Sequence, residues 1–490
     1  MAFDPPSLLT VALALWPIVA IAAAGHALLS RRDPRTAWGW IAVCWLFPLA
    51  GPALYAIFGI NRIQSRAGRI GPSARSVSAS KAEILHERDC RHHSRHKPVL
   101  LPPALHQVAR TADTLTGLPL LAGQRIEALH NGSAAYPRML AAIEGARHSI
   151  ELSTYIFNVD SAGERFIEAL GRAQVRGVAI RVLVDGAGER YSWKHATKAL
   201  RKKQVPCAVF NPLRLVPPSL HLNLRNHRKL LIADGLVAYT GGMNISRYHE
   251  APADDPDAVT DVHFELRGPV VEQLRQVFDE DWSLYGASKS DEPAIEPMAM
   301  VQPSEQVQGA NCRVISDGPN EDHDHISLIL QAAISAAQRE VLIMTPYFLP
   351  PAELAAELQT AALRGVTVRV VLPQKNNLPF VHWATRNALE ELLRLGIEVY
   401  EQPGPFCHSK LFVVDGLYSQ IGSANLDARS LKLNFELAVE IYDASFAENL
   451  RAHIKRVIHE SRGITLERIL ARSLPARLRD ALCWLFSPYL

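Results

Sequence analysis

The sequence predicts an α/β protein in which two duplicated lobes follow an apolar helical hairpin. Three observations lead to this fold class. Residues 173–184 closely match residues 361–372, and the same motif follows each copy. Apolar runs typical of strands alternate with helical patterns in both copies, which indicates a sheet flanked by helices. Two long apolar stretches precede the first copy.

The predicted transmembrane hairpin occupies residues 1–62. Residues 8–29 and 38–60 contain no Lys, Arg, Asp or Glu, and each stretch has the roughly twenty residues that cross a bilayer. The alternatives are a cleaved signal peptide for the first stretch, or two helices buried in a soluble core. Basic residues follow the second stretch, so the positive-inside rule predicts a multi-pass protein whose lobes face the cytoplasm.

Residues 63–118 are predicted to form a basic tether. Their histidines and cysteine fit no standard zinc spacing, and the neighbouring residues are cationic, so contact with anionic lipid headgroups is favoured over a metal site. The residues concerned are His86, Cys90, His92, His93 and His96.

The two lobes are predicted over residues 119–305 and 306–490. Each contains a strand, a helix, an Arg-Gly turn, a strand, a helix and the strand of the motif, so one half-site per lobe places the active site at the lobe interface. The tail, residues 466–490, combines arginines with Leu, Trp, Phe and Tyr. It is expected either to form an interfacial helix or to pack against the second lobe.

Composition agrees with a folded protein of several domains. The 490 residues suffice for two or three domains, and 48% hydrophobic residues suffice for their cores. The formal net charge of +3 gives no strong footprint for a nucleic acid backbone. The six cysteines are scattered without a C-x-x-C, which argues against a disulfide framework or a zinc ribbon.

The repeated motif carries the chemistry. Each copy places a lysine two residues after a histidine and an aspartate five residues after the lysine, as His227, Lys229 and Asp234 and again as His408, Lys410 and Asp415. An apolar run follows each lysine and predicts a buried strand, on which residues i and i+2 share a face. Each copy therefore presents an imidazole beside a cation.

This pairing suits attack on a phosphodiester, which requires a nucleophile, a proton donor and neutralisation of charge. We expect one imidazole to carry the phosphoryl group covalently while the other acts as acid and base. All six motif residues are candidate catalytic residues. Asp234 and Asp415 each precede a glycine between apolar runs, so the alternative for these two is turn chemistry.

A polar block that follows each motif is expected to bind phosphate. Asn244, Ser423 and Asn425 are the candidates, and Gly242 in the first copy stands where the second has Ser423. The two half-sites are therefore unequal. No metal is expected, because the lysines supply the positive charge that a metal ion supplies in other phosphoryl-transfer enzymes.

The paired motifs resemble those of the phospholipase D superfamily, whose members exchange phosphodiesters through a phosphohistidine. The resemblance implies that His227 is the nucleophile and His408 the acid and base. It also implies that a downstream carboxylate orients each imidazole. Asp261, 34 residues after His227, and Glu436, 28 residues after His408, lie where that partner falls.

Within that superfamily the chain resembles the bacterial cardiolipin synthases. The similar blocks are residues 224–229, 240–244, 345–348 and 422–430. The resemblance implies that two phosphatidylglycerol molecules give cardiolipin and glycerol at the bacterial inner membrane, with no cofactor and with anionic membrane lipids as partners. The alternatives are another phospholipase D-type phosphatidyltransferase, a phospholipase or nuclease, and a non-enzymatic membrane scaffold.

Overall fold

The computed structural model divides the chain into two units, with the boundary after residue 74. The candidate metal ligands of the predicted tether, which are His86, Cys90, His92, His93 and His96, lie outside the described residues. The described residues are 8–30, 34–59, 101–212, 224–285, 309–319 and 324–487.

The first unit is helical. Helix α1 (Leu8–Ser30) packs against α2 (Pro34–Leu46), and α3 (Ala50–Leu54) leads into a π-helical turn at Tyr55–Gly59. Among the residues that the structure describes, no helix combines the length and the apolar character of a membrane crossing.

The predicted two-span hairpin is therefore not shown by the structure. The second predicted span, residues 38–60, is divided between α2, α3 and the π-helical turn. Pro48 lies at the division, and proline interrupts a helix because it has no N–H to donate and its ring clashes with the preceding turn. Leu49, which follows, adopts a left-handed φ of 62°.

Among the described residues, the second unit contains one sheet of fifteen strands and two further sheets of two strands each. The first eight strands are β1 (Leu121–His130), β2 (Ser149–Thr154), β3 (Ala179–Asp185), β4 (Cys207–Phe210), β5 (Leu230–Ala233), β6 (Val237–Gly241), β7 (Val259–Thr260) and β8 (Val262–Arg267). The later strands are β9 (Ala310–Asp317), β10 (Glu340–Met344), β11 (Phe348–Leu349), β12 (Thr367–Pro373), β13 (Glu398–Gln402), β14 (Phe406–Cys407), β15 (Leu411–Val414), β16 (Tyr418–Gly422), β17 (Leu426–Asp427), β18 (Glu436–Tyr442) and β19 (Arg462–Ile464).

The strand order shows the predicted duplication directly. Outward from the central antiparallel pair β1–β9, the first lobe runs β1, β8, β6, β5, β2, β3, β4 and the second runs β9, β18, β16, β15, β10, β12, β13. Each motif strand, β5 or β15, thus occupies the fourth position of its lobe. The predicted α/β fold with two duplicated lobes is confirmed.

Helices cover the faces of this sheet. Those of the second unit are α4 (Pro103–Thr116), α5 (Asn131–Gly145), α6 (Ser161–Val175), α7 (Ala196–Lys202), α8 (Val270–Tyr285), α9 (His325–Ala336), α10 (Ala352–Leu363), α11 (Pro379–Arg394), α12 (Ala428–Lys432), α13 (Ala444–Glu460), α14 (Leu466–Leu470) and α15 (Leu474–Trp484). One hydrophobic core contains side chains of α8, α13 and strands of both lobes. This shared core joins the lobes firmly, which fixes the distance between their motifs.

The end of the predicted tether and the C-terminal tail both form helices that pack on the second lobe. The end of the predicted tether forms α4, because Leu105, Val108, Ala109 and Ala112 make an apolar face that packs on the second lobe. The tail forms α14 and α15, and α15 packs on α11 around the buried Asp480. Packing on the second lobe is therefore observed, although one face of α15 remains exposed.

Candidate active site

The sheet brings the two motifs together at the lobe interface. The rings of His227 and His408 have centroids 6.5 Å apart. Each motif is also held by the opposite lobe, because the backbone N–H of His227 donates to Phe435 (2.9 Å) and that of His408 donates to Thr260 (2.8 Å). The two imidazoles therefore face one space in which a phosphoryl group can lie between them.

The carboxylates that orient the histidines are exchanged between the lobes. His227 Nδ1 lies 3.1 Å from the Glu436 carboxylate and 3.2 Å from the carbonyl of Ser423. His408 Nδ1 lies 3.3 Å from Asp261 and 3.1 Å from the carbonyl of Gly242. The sequence placed each carboxylate with the histidine of its own lobe. Both histidines and both carboxylates lie at the site, but the predicted pairing of each histidine with the carboxylate of its own lobe was wrong.

Burial sets the protonation state of the histidines. It lowers the pKa of His227, and burial together with the nearby Lys410 lowers the pKa of His408 to about 3. Burial opposes ionisation of Asp261, yet its hydrogen bond with His408 and nearby cations bring its pKa down to about 2. Both imidazoles are thus neutral in the free site, and a carboxylate at Nδ1 favours the tautomer that leaves Nε2 available for the substrate.

The lysines are buried cations that lie against their own motifs. Lys229 Nζ donates to the carbonyl of His227 (2.5 Å), and Lys410 Nζ donates to that of His408 (2.6 Å). Burial lowers the pKa of Lys229 to about 7 and that of Lys410 to about 8. A bound phosphate anion stabilises the protonated form of both amines. Binding of the substrate therefore favours protonation of the lysines, and protonated lysines favour binding of the substrate.

Two asparagines add hydrogen-bonding capacity. The Oδ1 of Asn244 accepts from the backbone of Ile156 (3.2 Å), an interaction that does not use its NH₂ group. Asn425 donates to Ser430 (3.2 Å), and within the described part of the chain its buried Oδ1 has no partner. Both asparagines line the cavity of the histidines, and the NH₂ group of each, not its Oδ1, can donate a hydrogen bond to a phosphoryl oxygen.

The Ser423 hydroxyl contacts a carboxylate in the structure, whereas its sequence position suggested phosphate binding. Its hydroxyl donates to Glu436 (2.5 Å) and accepts from the backbone of Leu437 (3.0 Å), and the residue is fully buried. The hydroxyl therefore fixes the carboxylate that orients His227.

Gly242 is required at the matching position of the first lobe. A Cβ there would lie 2.7 Å from the Asp261 carboxylate and 2.8 Å from the carbonyl of His408. The shorter aspartate approaches the backbone directly, whereas the longer Glu436 is held by the hydroxyl of Ser423. This difference explains why the two copies are unequal.

The contacts of Asp234 and Asp415 favour the turn interpretation over the catalytic one. The Asp234 carboxylate accepts from the backbone of residues 147, 148 and 149 at 2.7–2.9 Å, and Asp415 accepts from residues 338, 339 and 340 at 2.8–2.9 Å. Both lie at the far ends of the motif strands, in left-handed turn positions with φ of 52° and 54°. Asp234 thereby connects the β5–β6 turn to the start of β2, and Asp415 connects the β15–β16 turn to the start of β10.

We expect Asp234→Asn and Asp415→Asn to lower stability rather than catalysis. Each carboxylate satisfies several backbone donors, so losing its charge should lower the free energy of unfolding by about 1–3 kcal/mol, with kcat within twofold of wild type. Thermal unfolding and initial rates on the same preparations would measure both effects. A 100-fold loss of kcat with an unchanged Tm would restore a catalytic role.

The histidines open into a cavity of about 900 Å³ that the motifs alone did not reveal. Aromatic side chains of its wall lie beside both imidazoles: the ring centroid of Tyr155 lies 5.1 Å from that of His227, and that of Phe406 lies 5.8 Å from that of His408. Tyr191, Tyr347 and Arg429 contribute further. The sequence signal was the repeat itself, which places Tyr155 and Tyr347 just after β2 and β10, where loops at the ends of strands form sites.

Over the described ranges, no group of three or more His, Cys, Asp or Glu side chains is arranged to hold a metal ion.

Comparison with known proteins gives consistent matches over most of the chain. Residues 139–282 and 330–458 match the family model described as cardiolipin synthase, PLD-like domain, and residues 18–59 match phospholipase D-nuclease N-terminal. The major cardiolipin synthase ClsA of Bacillus subtilis is 30% identical, with 94% of this chain and 95% of the relative covered. Cardiolipin synthase A of Klebsiella pneumoniae is 31% identical, with 94% of each covered.

A solved structure supports the fold. Phosphatidylserine synthase of Haemophilus influenzae superposes with a TM-score of 0.60 at 16% identity, over 78% of this chain and all of that one. At this identity the likeness concerns the fold alone.

Proposed function

The chain belongs to the cardiolipin synthases of the phospholipase D superfamily, and from this premise we propose that it transfers a phosphatidyl group between two phosphatidylglycerols. The products are cardiolipin and glycerol. The observation that carries the proposal is the pair of complete half-sites, each oriented by the other lobe, at one wall of a cavity large enough for lipid headgroups.

In the first step, Nε2 of His227 attacks phosphorus and the bond from phosphorus to the glycerol oxygen breaks. His408 gives the departing alkoxide its proton. The negative charge of the bound phosphodiester favours the protonated form of this imidazole, although it is neutral in the free site. Lys229 and Lys410 neutralise the phosphoryl oxygens, and Asn244 and Asn425 donate hydrogen bonds to them.

In the second step, a hydroxyl of the second phosphatidylglycerol loses its proton to His408 and attacks the phosphorus. The bond from phosphorus to His227 breaks, and both imidazoles return to their initial states. One phosphodiester has replaced another, so no activated nucleotide is consumed.

The direct test is product analysis with purified full-length protein and phosphatidylglycerol in detergent, with EDTA present. We expect cardiolipin and glycerol in equal amounts. Phosphatidic acid as the main product would instead indicate a phospholipase. Product formation only after addition of another alcohol would indicate a different phosphatidyltransferase.

The pKa values of the lysines predict a loss of activity at alkaline pH. Each amine must be protonated to hold phosphate, and both pKa values are lowered, to about 7 and about 8. As pH rises through this range the cations are lost, so kcat/KM for phosphatidylglycerol should fall between pH 7 and 9 because kcat/KM reports the free enzyme.

A pH series of initial rates measures this decline, and Lys410→Arg is the matched variant. Arginine stays charged throughout the range, so the residual activity of this variant should persist to higher pH. Constant or rising kcat/KM between pH 7 and 9 in the wild type would show that the lysines do not act as proposed.

We further propose that the protein acts at the bacterial inner membrane with its lobes on the cytoplasmic side. An exposed ridge on α15 supports membrane contact by the second unit, since Leu474, Leu478 and Leu482 share one helix face and are 60–66% exposed. α11, against which α15 packs, also carries the exposed Phe380 at the rim of the cavity. A bilayer at this ridge would therefore lie near the entrance to the site.

The double variant Leu478→Glu, Leu482→Glu tests this contact. Cardiolipin synthesis should fall more from phosphatidylglycerol in vesicles than from short-chain phosphatidylglycerol dissolved as monomers. Equal losses with both substrate forms would contradict a membrane role for the ridge.

A further inference from the structure

We propose that Arg429 forms a second anion subsite, which binds the phosphate of the acceptor phospholipid while its hydroxyl attacks at His227. The inference rests on the proposed function and concerns its specificity. Cardiolipin synthesis brings two phosphodiesters into one cavity, and the histidines and lysines of the motifs serve only the one that reacts. The second anion requires its own cation, because burying an unpaired charge is costly.

The position of Arg429 fits this role. It lies on α12, half-buried, and lines the same cavity as His227 and His408. Its positive charge acts on two tyrosines of the cavity wall: burial raises the pKa of both Tyr155 and Tyr347, and Arg429 opposes that rise. The guanidinium thus shares the cavity wall with Tyr155, whose ring lies 5.1 Å from that of His227, and with Tyr347.

Arg429 is also available for a ligand. Its guanidinium makes no hydrogen bond or ion pair with any residue that the structure describes. Other cations of the cavity wall have contacts: Arg225 donates to Asn211 (2.9 Å), and Lys194 lies 3.8 Å from Glu164.

The duplication shows that this cation belongs to one half of the site. With His408 aligned on His227, Arg429 corresponds to Tyr248 in the first lobe. Arg247, the neighbouring cation of that lobe, is exposed, and its guanidinium lies 5.0 Å from the Tyr248 ring. The half-buried arginine therefore has no equivalent in the first lobe, which suits a cavity that must bind two lipids in different roles.

A purely structural role for Arg429 makes a different prediction. The nearby Asp427 has its pKa raised to about 6 by burial, and Arg429 opposes the rise. The Asp427 carboxylate, however, accepts from the backbone of Ser430 (2.7 Å) and caps α12. If Arg429 only balanced this carboxylate, its loss would affect every reaction of the enzyme equally.

Two reactions of the same enzyme separate these roles. Exchange of the glycerol of phosphatidylglycerol for deuterated glycerol uses an uncharged acceptor, whereas cardiolipin formation uses an anionic one. We expect Arg429→Gln to lower the ratio of cardiolipin formation to glycerol exchange about tenfold or more, the range for losing a charged hydrogen bond. The loss should lie mainly in KM for phosphatidylglycerol, and Arg429→Lys should restore part of the ratio.

Arg247→Gln is the matched control, because it removes one positive charge at the rim of the same cavity. The ratio of cardiolipin formation to glycerol exchange in this variant should stay within twofold of wild type. Equal loss of both reactions in Arg429→Gln and Arg429→Lys, or no change in the ratio, would overturn the inference. Wild-type protein that exchanges glycerol but forms no cardiolipin would overturn the proposed function instead.

Discussion

His227→Ala and His408→Ala should each abolish cardiolipin formation at the level of a steady-state assay while the protein remains folded. Without His227 there is no covalent carrier for the phosphatidyl group. Without His408 the alkoxide leaves unprotonated and the acceptor is not deprotonated, and general acid–base catalysis alone contributes about 10²–10⁴-fold. Mass spectrometry of lipid products from matched amounts of protein measures both losses.

His453→Ala provides the control for these variants. This imidazole is half-buried on α13, packs against the tilted ring of His130 with centroids 4.9 Å apart and lies outside the wall of the catalytic cavity. Its replacement should leave turnover within a fewfold of wild type. Near-normal turnover by either motif variant would contradict the two-histidine mechanism.

The exchanged carboxylates predict which half-reaction each one supports. Glu436→Gln and Asp261→Asn should each lower kcat by about 10²-fold or more, because an amide no longer favours the productive tautomer of its histidine. The two variants should differ in the burst of nitrophenol that they release from a nitrophenyl phosphodiester, whose leaving group needs little protonation. Asp261→Asn should retain a burst of nitrophenol, since Asp261 contacts His408. Glu436→Gln should lose the burst, since Glu436 contacts His227.

Pre-steady-state release of nitrophenol distinguishes this pairing from the same-lobe pairing. A burst in Glu436→Gln together with none in Asp261→Asn would mean that each carboxylate acts on the histidine of its own lobe. The structure predicts a burst in Asp261→Asn and no burst in Glu436→Gln.

The repeat made much of the fold predictable. The two-residue spacing of His and Lys implies a shared strand face, and the apolar residues that follow form the buried strands β5 and β15. The matched segments upstream implied two equivalent lobes, and the sheet order shows them. These features depend on local periodicity and on repetition, both of which are visible in one sequence.

The crossed contacts could not be predicted in the same way. Which histidine meets Asp261 depends on how the lobes pack across β1 and β9, and the sequence spacing does not encode that arrangement. The contacts of Ser423 with the Glu436 side chain and of Asp234 with backbone N–H groups also depend on the three-dimensional surroundings. The place of Arg429 could not be predicted either, because a single cation in the sequence gives no sign that it lines the same cavity as both histidines.

The most direct test of the account is to locate the covalent phosphoryl group. His408→Ala should still be phosphorylated by a nitrophenyl phosphodiester, and it should accumulate the adduct because the base for the second step is missing. Peptide mapping without acid should find phosphohistidine on the peptide that contains His227, and His227→Ala should give neither burst nor adduct. A phosphoryl group on His408, in the wild type or in His227→Ala, would contradict the assignment of His227 as the nucleophile.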